Sequence, residues 1–361
     1  DLADLAARLD RTRWPEAATV DDWTQGTPLA ALGELVAYWR TGYDWRRCEA
    51  RLNAVGQFVT EIDGLDIHFL HKPSSRSDAV PLLLTHGWPG SVVEFLGVID
   101  ELTEPTVADT QAFHVVAPSL PGYGFSDKPG ATGWGVERIA QAWTELMQRL
   151  EYRRWMAQGG DWGAAVTMAI GQLAPSECRG IHLNMPIGRP GPDDMQSKDS
   201  KVLKALQRLG FYQEWDSGYS KQQSTRPQTI GYGLVDSPSA LAAWMLEKVH
   251  YWTDNQGSAW DVLTMDQVLD DVMLYWLPAT GASAARLYWE SFGKFGEGTV
   301  SIPAGASAFP GEILPAPREW VERTLTNLVY WNDLDKGGHF AAWEQPELFV
   351  SELRACVAAI P

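Results

Sequence analysis

One aspartate among glycines is the residue of this sequence best suited to attack a carbon atom. Asp161 lies in the run GGDWG (159–163), after a short apolar segment and before a run of small apolar residues. Strand, glycine-rich corner and helix together predict a nucleophile elbow, whose central side chain sits at a strained backbone angle. A carboxylate there can displace a leaving group at an sp³ carbon and form an ester with the protein. The alternative interpretation is structural, since aspartate is also a common helix N-cap.

Backbone N–H groups near this corner would stabilise the oxyanion that forms when such an ester is hydrolysed. The turn HGWPG (86–90) follows the first buried strand, at the edge of the sheet where ligands bind in open α/β proteins. We predict an oxyanion hole at Trp88 and Trp162, and a substrate site lined by Trp88, Pro89 and Trp162. The alternative for this turn is an ordinary strand-to-helix loop.

A histidine near the end of the chain is the candidate base. His339 follows two glycines in a loop after the last predicted strand, which is not typical of a packed core position. In an elbow protein the chain order is nucleophile, acid and histidine. Glu312 is the best candidate for the acid. Asp333 and Asp335 are alternatives, although they are more simply interpreted as solvated loop charges.

Short apolar strands alternate with helices around these motifs, which predicts an α/β protein with a mostly parallel sheet covered on both faces. A hairpin at Asp63-Gly64 precedes this alternation. The predicted strands are 57–61, 65–69, 80–85, 113–117, 153–157, 180–185, 300–303 and 328–331. The predicted core helices are 91–102, 135–150, 164–170, 318–325 and 346–359.

Two segments interrupt or precede the alternation. Residues 1–55 mix aromatic and charged side chains, which fits a meander that wraps the core. Residues 186–299 begin rich in proline and glycine and continue as Trp-rich helices, which predicts a helical cap. The core is then expected in two parts, 56–185 and 300–361.

Composition limits the classes of partner. The chain has 361 residues and a net charge of −17, which argues against nucleic acids and anionic membrane surfaces. The cysteines are Cys48, Cys178 and Cys356, too few and too far apart to indicate disulfides or a zinc site. We therefore expect a reducing compartment and a cytoplasmic protein. No signal peptide or membrane span is visible, and a homodimer is compatible with the sequence.

Together these motifs resemble those of the microsomal-type epoxide hydrolases. The resemblance covers nearly the whole chain, and the combination is specific although each motif alone occurs in other α/β-hydrolases. The matching segments are RWPE (13–16), YDWR (43–46), IDGLDIHFLH (62–71), HGWPGS (86–91), PSLPGYGFSDKP (118–129), GGDWG (159–163), ARLYWES (285–291), FPGE (309–312) and GGHFAAWEQPE (337–347).

The resemblance implies an α/β-hydrolase fold with a helical cap insertion and an N-terminal meander, and it implies a role for each matching residue. Asp161 matches the nucleophile, His339 the general base and Glu312 the acid that orients it. Tyr219 and Tyr288 match two cap tyrosines that donate hydrogen bonds to the epoxide oxygen. No metal or organic cofactor is implied; the partners are a small-molecule epoxide and water.

The implied reaction converts an epoxide to a vicinal diol through an ester on Asp161. Animal microsomal enzymes carry an N-terminal anchor and this sequence shows none, so a soluble bacterial-type member is expected. Aromatic residues of the cap favour a large apolar or aryl epoxide, and the role would be detoxification or natural-product tailoring of the enediyne type. The tryptophans behind this expectation are Trp244, Trp252, Trp260, Trp276 and Trp289.

Two other functions remain compatible with the same residues. A haloalkane dehalogenase also uses an elbow aspartate and a histidine, and Trp88 and Trp162 would then hold the halide. A non-catalytic ligand-binding relative would keep the fold alone. The cap tyrosines and Glu312 favour the epoxide.

Overall fold

The structure, a computed structural model, describes residues 1–107 and 109–361. An eight-stranded sheet forms its centre. The strands are β1 (Gln57–Ile62), β2 (Leu65–Lys72), β3 (Val80–Thr85), β4 (Phe113–Pro118), β5 (Trp155–Gly159), β6 (Cys178–Leu183), β7 (Ala304–Ala308) and β8 (Leu328–Asp333). Their order in the sheet is β1-β2-β4-β3-β5-β6-β7-β8.

Helices precede the sheet, cover its faces and form an insertion between β6 and β7. The helices before β6 are α1 (Leu2–Asp10), α2 (Leu29–Thr41), α3 (Trp45–Val55), α4 (Ile99–Thr103), α5 (Val136–Arg149) and α6 (Trp162–Leu173). Those of the insertion are α7 (Ser200–Phe211), α8 (Gly218–Thr225), α9 (Pro227–Asp236), α10 (Pro238–Trp252), α11 (Met265–Trp276) and α12 (Gly281–Ser291). The last helices are α13 (Arg318–Val321), α14 (Ala341–Glu344) and α15 (Pro346–Ala359).

The sheet is parallel except at one edge. β2 pairs antiparallel with both β1 and β4, and the remaining pairs are parallel. All five residues of β5 are buried, as expected for a central strand with helices on both faces. The predicted fold class, a mostly parallel α/β sheet with helical insertions, is confirmed. No helix of the described residues is long and apolar enough to cross a membrane.

The N-terminal helices pack on the insertion, where three polar contacts reach helix α11. The Tyr38 hydroxyl donates to Asp266 (2.9 Å) and the Tyr43 hydroxyl to Asp270 (2.8 Å). Arg47 forms an ion pair with the same Asp270 carboxylate (2.7 Å). The segment before β1 therefore covers the insertion as well as the sheet.

Three predicted elements differ clearly from those observed. The helix predicted at 318–325 is shortened to α13, which ends at Val321. The helix predicted at 91–102 is a short 3₁₀ turn (Val92–Phe95) followed, after Gly97, by α4. The strand predicted at 300–303 is displaced to β7, because Pro303 has no N–H for a ladder. The sequence of β7, AGASA, has little β-propensity; its small residues are needed because a Cβ on Gly305 would overlap the Cys356 sulfur.

Helix α6 packs so closely on the sheet that its first turn requires glycine. A Cβ on Gly163 would overlap the carbonyl oxygen of Thr85 in β3. A Cβ on Gly159 would overlap the carbonyl oxygen of Gly163 in the same way. Both obstacles are backbone atoms of close-packed elements, so relief would require a shift of the strand or the helix.

The variant Gly163→Ala should therefore lower the free energy of unfolding by about 1–3 kcal/mol, the usual range for overpacking. Urea denaturation measures this change. Gly210→Ala in α7 is the control, because a Cβ there meets no atom within 4 Å. In that helix the alanine should be neutral or stabilise by up to about 1 kcal/mol. Equal effects of the two substitutions would contradict the close approach.

Candidate active site

Asp161 occupies a corner that few non-glycine residues adopt. Its backbone has φ 50° and ψ −127°, between the end of β5 and the first residue of α6. Its side chain makes no capping hydrogen bond to α6. Instead, Oδ1 accepts a hydrogen bond from the Trp88 backbone N–H at 2.7 Å. Asp161 thus occupies the N-cap position without capping the helix through its side chain, and the carboxylate faces the turn after β3.

A neutral histidine, His86, stabilises that turn through two hydrogen bonds. His86 Nε2 accepts from the Leu120 N–H (3.1 Å), and Nδ1 donates to the Gly87 carbonyl (2.9 Å). Burial lowers the pKa of His86 to about 4, so its ring is neutral at pH 7. A neutral imidazole has one donating and one accepting nitrogen, as these two contacts require. A Cβ on Gly87 would overlap the Asp161 side chain. Glycine there lets the Trp88 N–H approach the carboxylate.

The structure brings His339 and Glu312 next to Asp161. Nε2 of His339 is 3.4 Å from Asp161 Oδ2, and Nδ1 is 2.7 Å from Glu312 Oε1. Both His339 and Glu312 are buried. A β-bridge between Gly311 and Gly338 ties together the two loops that carry them.

The two alternative acids lie elsewhere. Asp333 pairs with Lys201 at the surface (2.9 Å), and Asp335 is exposed. A surface ion pair of this kind contributes little to stability. Glu312 is thus the carboxylate that contacts the imidazole.

The pKa of His339 rises well above its usual value. Burial alone would lower it, but the charge of Glu312 and hydrogen bonds to Asp161 and Glu312 outweigh that penalty. The imidazole lies between two carboxylates and is stabilised as a cation when the enzyme is free.

A third carboxylate fixes the loop around the histidine. Glu344 Oε2 accepts from the N–H groups of Asp254 (2.7 Å) and Gly338 (3.1 Å), and Oε1 accepts from Phe340 (3.0 Å). Burial raises the pKa of Glu344 to about 7. The His339 N–H itself donates to the Trp252 carbonyl at 2.9 Å. The end of α10 and the histidine loop are therefore joined directly.

Both candidate cap tyrosines share one cavity with Asp161. This reaction cavity has a volume of about 120 Å³ and includes Tyr219 from α8 and Tyr288 from α12. The two rings lie 5.7 Å apart. Within the described chain, the Tyr288 hydroxyl has no hydrogen-bond partner, so it is free to donate into the cavity. Burial raises the pKa of both phenols well above 10, which keeps them protonated.

The predicted tryptophans orient these phenols. Trp88 stacks on Tyr219 (4.9 Å between ring centroids) and meets Tyr288 edge-on (5.9 Å). Trp162 lines the reaction cavity and packs edge-on against Tyr288 (4.8 Å). In the part of the chain that the structure describes, Trp88 lines only a second, smaller cavity beside Asp161, and the buried Pro89 lines neither cavity. Of the three residues predicted for the substrate site, Trp162 alone therefore borders the reaction cavity.

The five cap tryptophans, from which we expected an aromatic substrate site, do not line the reaction cavity in the described part of the chain. Trp252 lies behind it, with its ring 5.0 Å from that of His339. Trp289 is exposed, and Trp244, Trp260 and Trp276 are partly buried away from Asp161. The aromatic wall comes instead from Trp162, Tyr212, Tyr219, Tyr288, Phe292 and Phe295.

Sequence reasoning missed two polar residues at the site. Tyr212 lines the reaction cavity, and its hydroxyl lies 3.4 Å from that of Tyr219. Its position seven residues before Tyr219, about two helical turns, is the signal that could have identified it. Glu94 lies near Asp161 on the other side, and an acid among Val92, Val93 and Phe95 was its signal.

The raised pKa of His339 predicts a pH-dependent contribution to stability. Because the folded pKa exceeds the unfolded value of about 6.5, the contribution is complete below that pH and is lost as the pH rises toward the folded value. The difference in unfolding free energy between the wild type and His339→Gln should therefore fall by about 1.4 kcal/mol for each pH unit above pH ~6.5. Urea denaturation from pH 6 to 8.5 measures it.

His250→Gln is the control for this measurement. Burial lowers the pKa of His250, so its difference from the wild type should stay level above pH ~6.5. A level difference for His339→Gln as well would show that the imidazole is not stabilised as a cation.

Two known protein families together match most of the chain. The family described as "Epoxide hydrolase N terminus" matches residues 1–95. The family described as "alpha/beta hydrolase fold" matches residues 80–346.

Individual relatives share both the sequence and the fold. A Stigmatella aurantiaca protein assigned to the epoxide hydrolases is 54% identical over 98% of this chain and 82% of its own length. "Epoxide hydrolase 1" of Sus scrofa is 34% identical over 98% of this chain and 85% of its own. The solved Aspergillus niger epoxide hydrolase superposes with a TM-score of 0.91 at 35% identity, covering 100% of this chain and 94% of that one.

A juvenile hormone epoxide hydrolase from Bombyx mori superposes equally well, with a TM-score of 0.91 at 31% identity. It covers 99% of this chain and 91% of that one. These comparisons confirm the resemblance seen in the motifs. They favour an epoxide hydrolase over a haloalkane dehalogenase and over a non-catalytic relative. The chain therefore belongs to the microsomal-type epoxide hydrolases and is an epoxide hydrolase.

Proposed function

We propose that this epoxide hydrolase opens a bulky apolar epoxide through a covalent ester on Asp161. The observation that supports this most directly is the reaction cavity. Asp161, Tyr219 and Tyr288 all line it. An epoxide between them would have a nucleophile on carbon and donors on oxygen at the same time.

In the first step, the phenols hydrogen-bond the ring oxygen while the carboxylate attacks a ring carbon from the opposite side. A bond forms between an Asp161 oxygen and carbon, and the C–O bond of the ring breaks. The alkoxide takes a proton from Tyr219 or Tyr288, which becomes phenolate. Both phenols are protonated before the reaction, as their raised pKa values require.

The two carboxylate oxygens have different environments, which assigns their parts. Oδ1 is held by the Trp88 N–H (2.7 Å), so it becomes the carbonyl oxygen of the ester. Oδ2 is then the attacking atom. The N–H of Trp162, the first residue of α6, makes no hydrogen bond to Asp161 in the described chain. A first-turn N–H has no partner within its helix and remains available when Oδ1 becomes an oxyanion.

In the ester, Asp161 no longer carries the charge that helps to raise the pKa of His339, so the imidazolium of the free enzyme gives its proton to solvent and regains one when the carboxylate is restored. In the second step, the neutral imidazole takes one proton from water, and the hydroxide oxygen bonds to the Asp161 carbonyl carbon. Glu312 stabilises the imidazolium through the 2.7 Å contact to Nδ1. Collapse breaks the ester bond, and the diol oxygen that leaves takes the proton from His339. The second water proton remains on the new carboxyl and returns the phenolate to phenol.

The size of the substrate is inferred from a larger cavity next to the reaction cavity. This chamber has a volume of about 450 Å³ and shares Met185, Phe295 and Leu314 with the reaction cavity. Most of its other wall is apolar, including Ile187 and Trp320. An epoxide with a bulky alkyl or aryl substituent would place its ring at Asp161 and its substituent in the chamber.

We further propose that such a substrate arises either as a toxic apolar compound or as an intermediate in natural-product synthesis. Either source supplies an epoxide that bears a large hydrocarbon group. The chamber supports the hydrocarbon group and does not discriminate between the two sources.

The ester itself is directly testable. A single turnover of excess enzyme in ¹⁸O water should place the label in the Asp161 carboxylate, because water attacks the carbonyl carbon. His339→Gln should accumulate protein heavier by the mass of the epoxide, and its turnover should fall by at least ~100-fold. Asp161→Asn is the control. It should form no adduct in the first turnover, because an amide is a far weaker nucleophile than a carboxylate. An unlabelled carboxylate after wild-type turnover would reject the mechanism.

The chamber predicts a size-selective variant. Leu314→Trp should fill the passage between the two cavities and lower kcat/KM for a bulky aryl epoxide at least about tenfold, while styrene oxide changes by less than about threefold. Steady-state kinetics on both compounds measure this. Leu203→Trp, at an exposed position of α7, is the control and should affect neither substrate. Equal losses on both epoxides would contradict the assignment of the chamber.

A further inference from the structure

A second, smaller cavity lies against the Asp161–His339 pair. Its volume of about 20 Å³ suits one water molecule. Asp161, His339 and Glu94 line it together with Asn184 and Thr85. The tyrosines that line the reaction cavity do not border it in the described chain. The aromatic side chains of Trp88, Phe95, Phe340 and Phe349 also border the small cavity. It thus has the size that one water requires, and it combines polar groups beside Asp161 with apolar ones.

The Glu94 side chain is built into the turn after β3. Glu94 lies on the 3₁₀ turn Val92–Phe95, and its carboxyl group folds back over Gly90. A Cβ on Gly90 would overlap Glu94 Oε1, so the absence of a side chain at position 90 gives the carboxyl its place. The turn that presents the Trp88 N–H to Asp161 therefore also supports Glu94.

The Glu94 carboxyl has few structural contacts. Within the described residues, it makes no hydrogen bond or ion pair with another side chain and contacts the Ser91 backbone, whereas Glu344 nearby accepts from three backbone N–H groups. Burial raises the pKa of Glu94 to about 8, so at neutral pH it is mostly a carboxylic acid. A carboxylic acid both donates and accepts hydrogen bonds, and a water molecule can bond to it in either sense.

We infer that Glu94 is a positioning residue for hydrolysis, which holds the attacking water between His339 and the ester carbon of Asp161. This inference rests on the ester mechanism proposed above. A buried water usually makes about three hydrogen bonds, and Glu94, His339 and Asn184 supply polar groups around the small cavity. With one proton directed at His339 Nε2 and the oxygen held by Glu94, a lone pair of the water faces the ester carbonyl.

Loss of a residue that positions water should affect only one of the two chemical steps. Water takes no part in the attack of Asp161 on the epoxide, so loss of Glu94 should leave that step unchanged. Hydrolysis of the ester needs the water in place, and a displacement of about 1 Å in a reacting group can slow a reaction by about a hundredfold. A residue that only supported the fold would affect both steps.

Single-turnover kinetics of the full chain with styrene oxide test this separation. Glu94→Leu should leave the rate of ester formation within about twofold of wild type and slow ester hydrolysis about ten- to a hundredfold. Ester would then accumulate in the steady state, visible as intact-protein mass. Glu94→Gln keeps a donor and an acceptor at the same place and should hydrolyse the ester within about threefold of the wild-type rate.

Glu352→Gln is the matched control. Glu352 is a buried carboxylate remote from the site, bonded to Ser307 (2.7 Å), Tyr330 (2.9 Å) and Asn332 (2.8 Å). Its replacement should lower stability without altering the ratio of the two rates. If Glu94→Leu does not fold, Glu94→Asp, which draws the carboxyl back by one methylene, should show the same step-specific slowing to a smaller degree.

Three results would overturn the role of Glu94 alone: wild-type hydrolysis in Glu94→Leu, equal slowing of both steps, or a Gln variant as slow as the Leu variant. In each of them the wild type still forms its ester. Failure of the wild type to form an ester at all would instead overturn the mechanism proposed for Asp161, and the role of Glu94 with it.

Discussion

The position of one carboxylate is the constraint on which the rest of this site depends. Asp161 adopts a backbone conformation with positive φ, and one of its oxygens is held by the Trp88 N–H. That conformation is strained, so the surrounding packing has to maintain it. The close contacts of Gly163 with β3 and of Gly87 with the Asp161 side chain do so, because neither leaves room for another arrangement.

Once the carboxylate is fixed, its two sides acquire different chemistry. Aromatic rings from α8 and α12 enclose the side where the organic substrate would bind. The histidine and the turn after β3 enclose the other side, where Glu94 and Asn184 lie among apolar side chains. Under the ester mechanism proposed above, this separation would place the organic substrate on one side of the carboxylate and the water on the other. It also explains why the site needs both the sheet and the inserted helices.

Much of this architecture could be predicted from the sequence, because its signals are local. The apolar runs of β3 and β4, the Asp63-Gly64 hairpin and the helix Pro346–Ala359 follow from periodicity and turn chemistry, and the structure confirms them. The elbow could be predicted because Gly159 and Gly163 flank the aspartate in a pattern that few other structures require.

Features that depend on packing between distant segments could not be predicted in this way. β7 lacks β-branched residues because its neighbours leave no space, and nothing in the strand itself reveals that. For Tyr219 and Tyr288 the resemblance is the only signal in the sequence, since either residue alone is equally typical of a packed helix face. The sequence does not single out Glu94 and Tyr212, because they are distinguished by the cavities they line, which form only when the chain has folded.

The link between α10 and the histidine loop limits how the enzyme can open. The Trp252 carbonyl accepts from His339, the Asp254 side chain accepts from the Gly337 N–H (2.8 Å), and Glu344 accepts from the Asp254 N–H. A hinge at the end of α10 would break these contacts and displace His339. Opening there would therefore cost more free energy than opening at a part of the insertion that has no such contacts with the histidine loop.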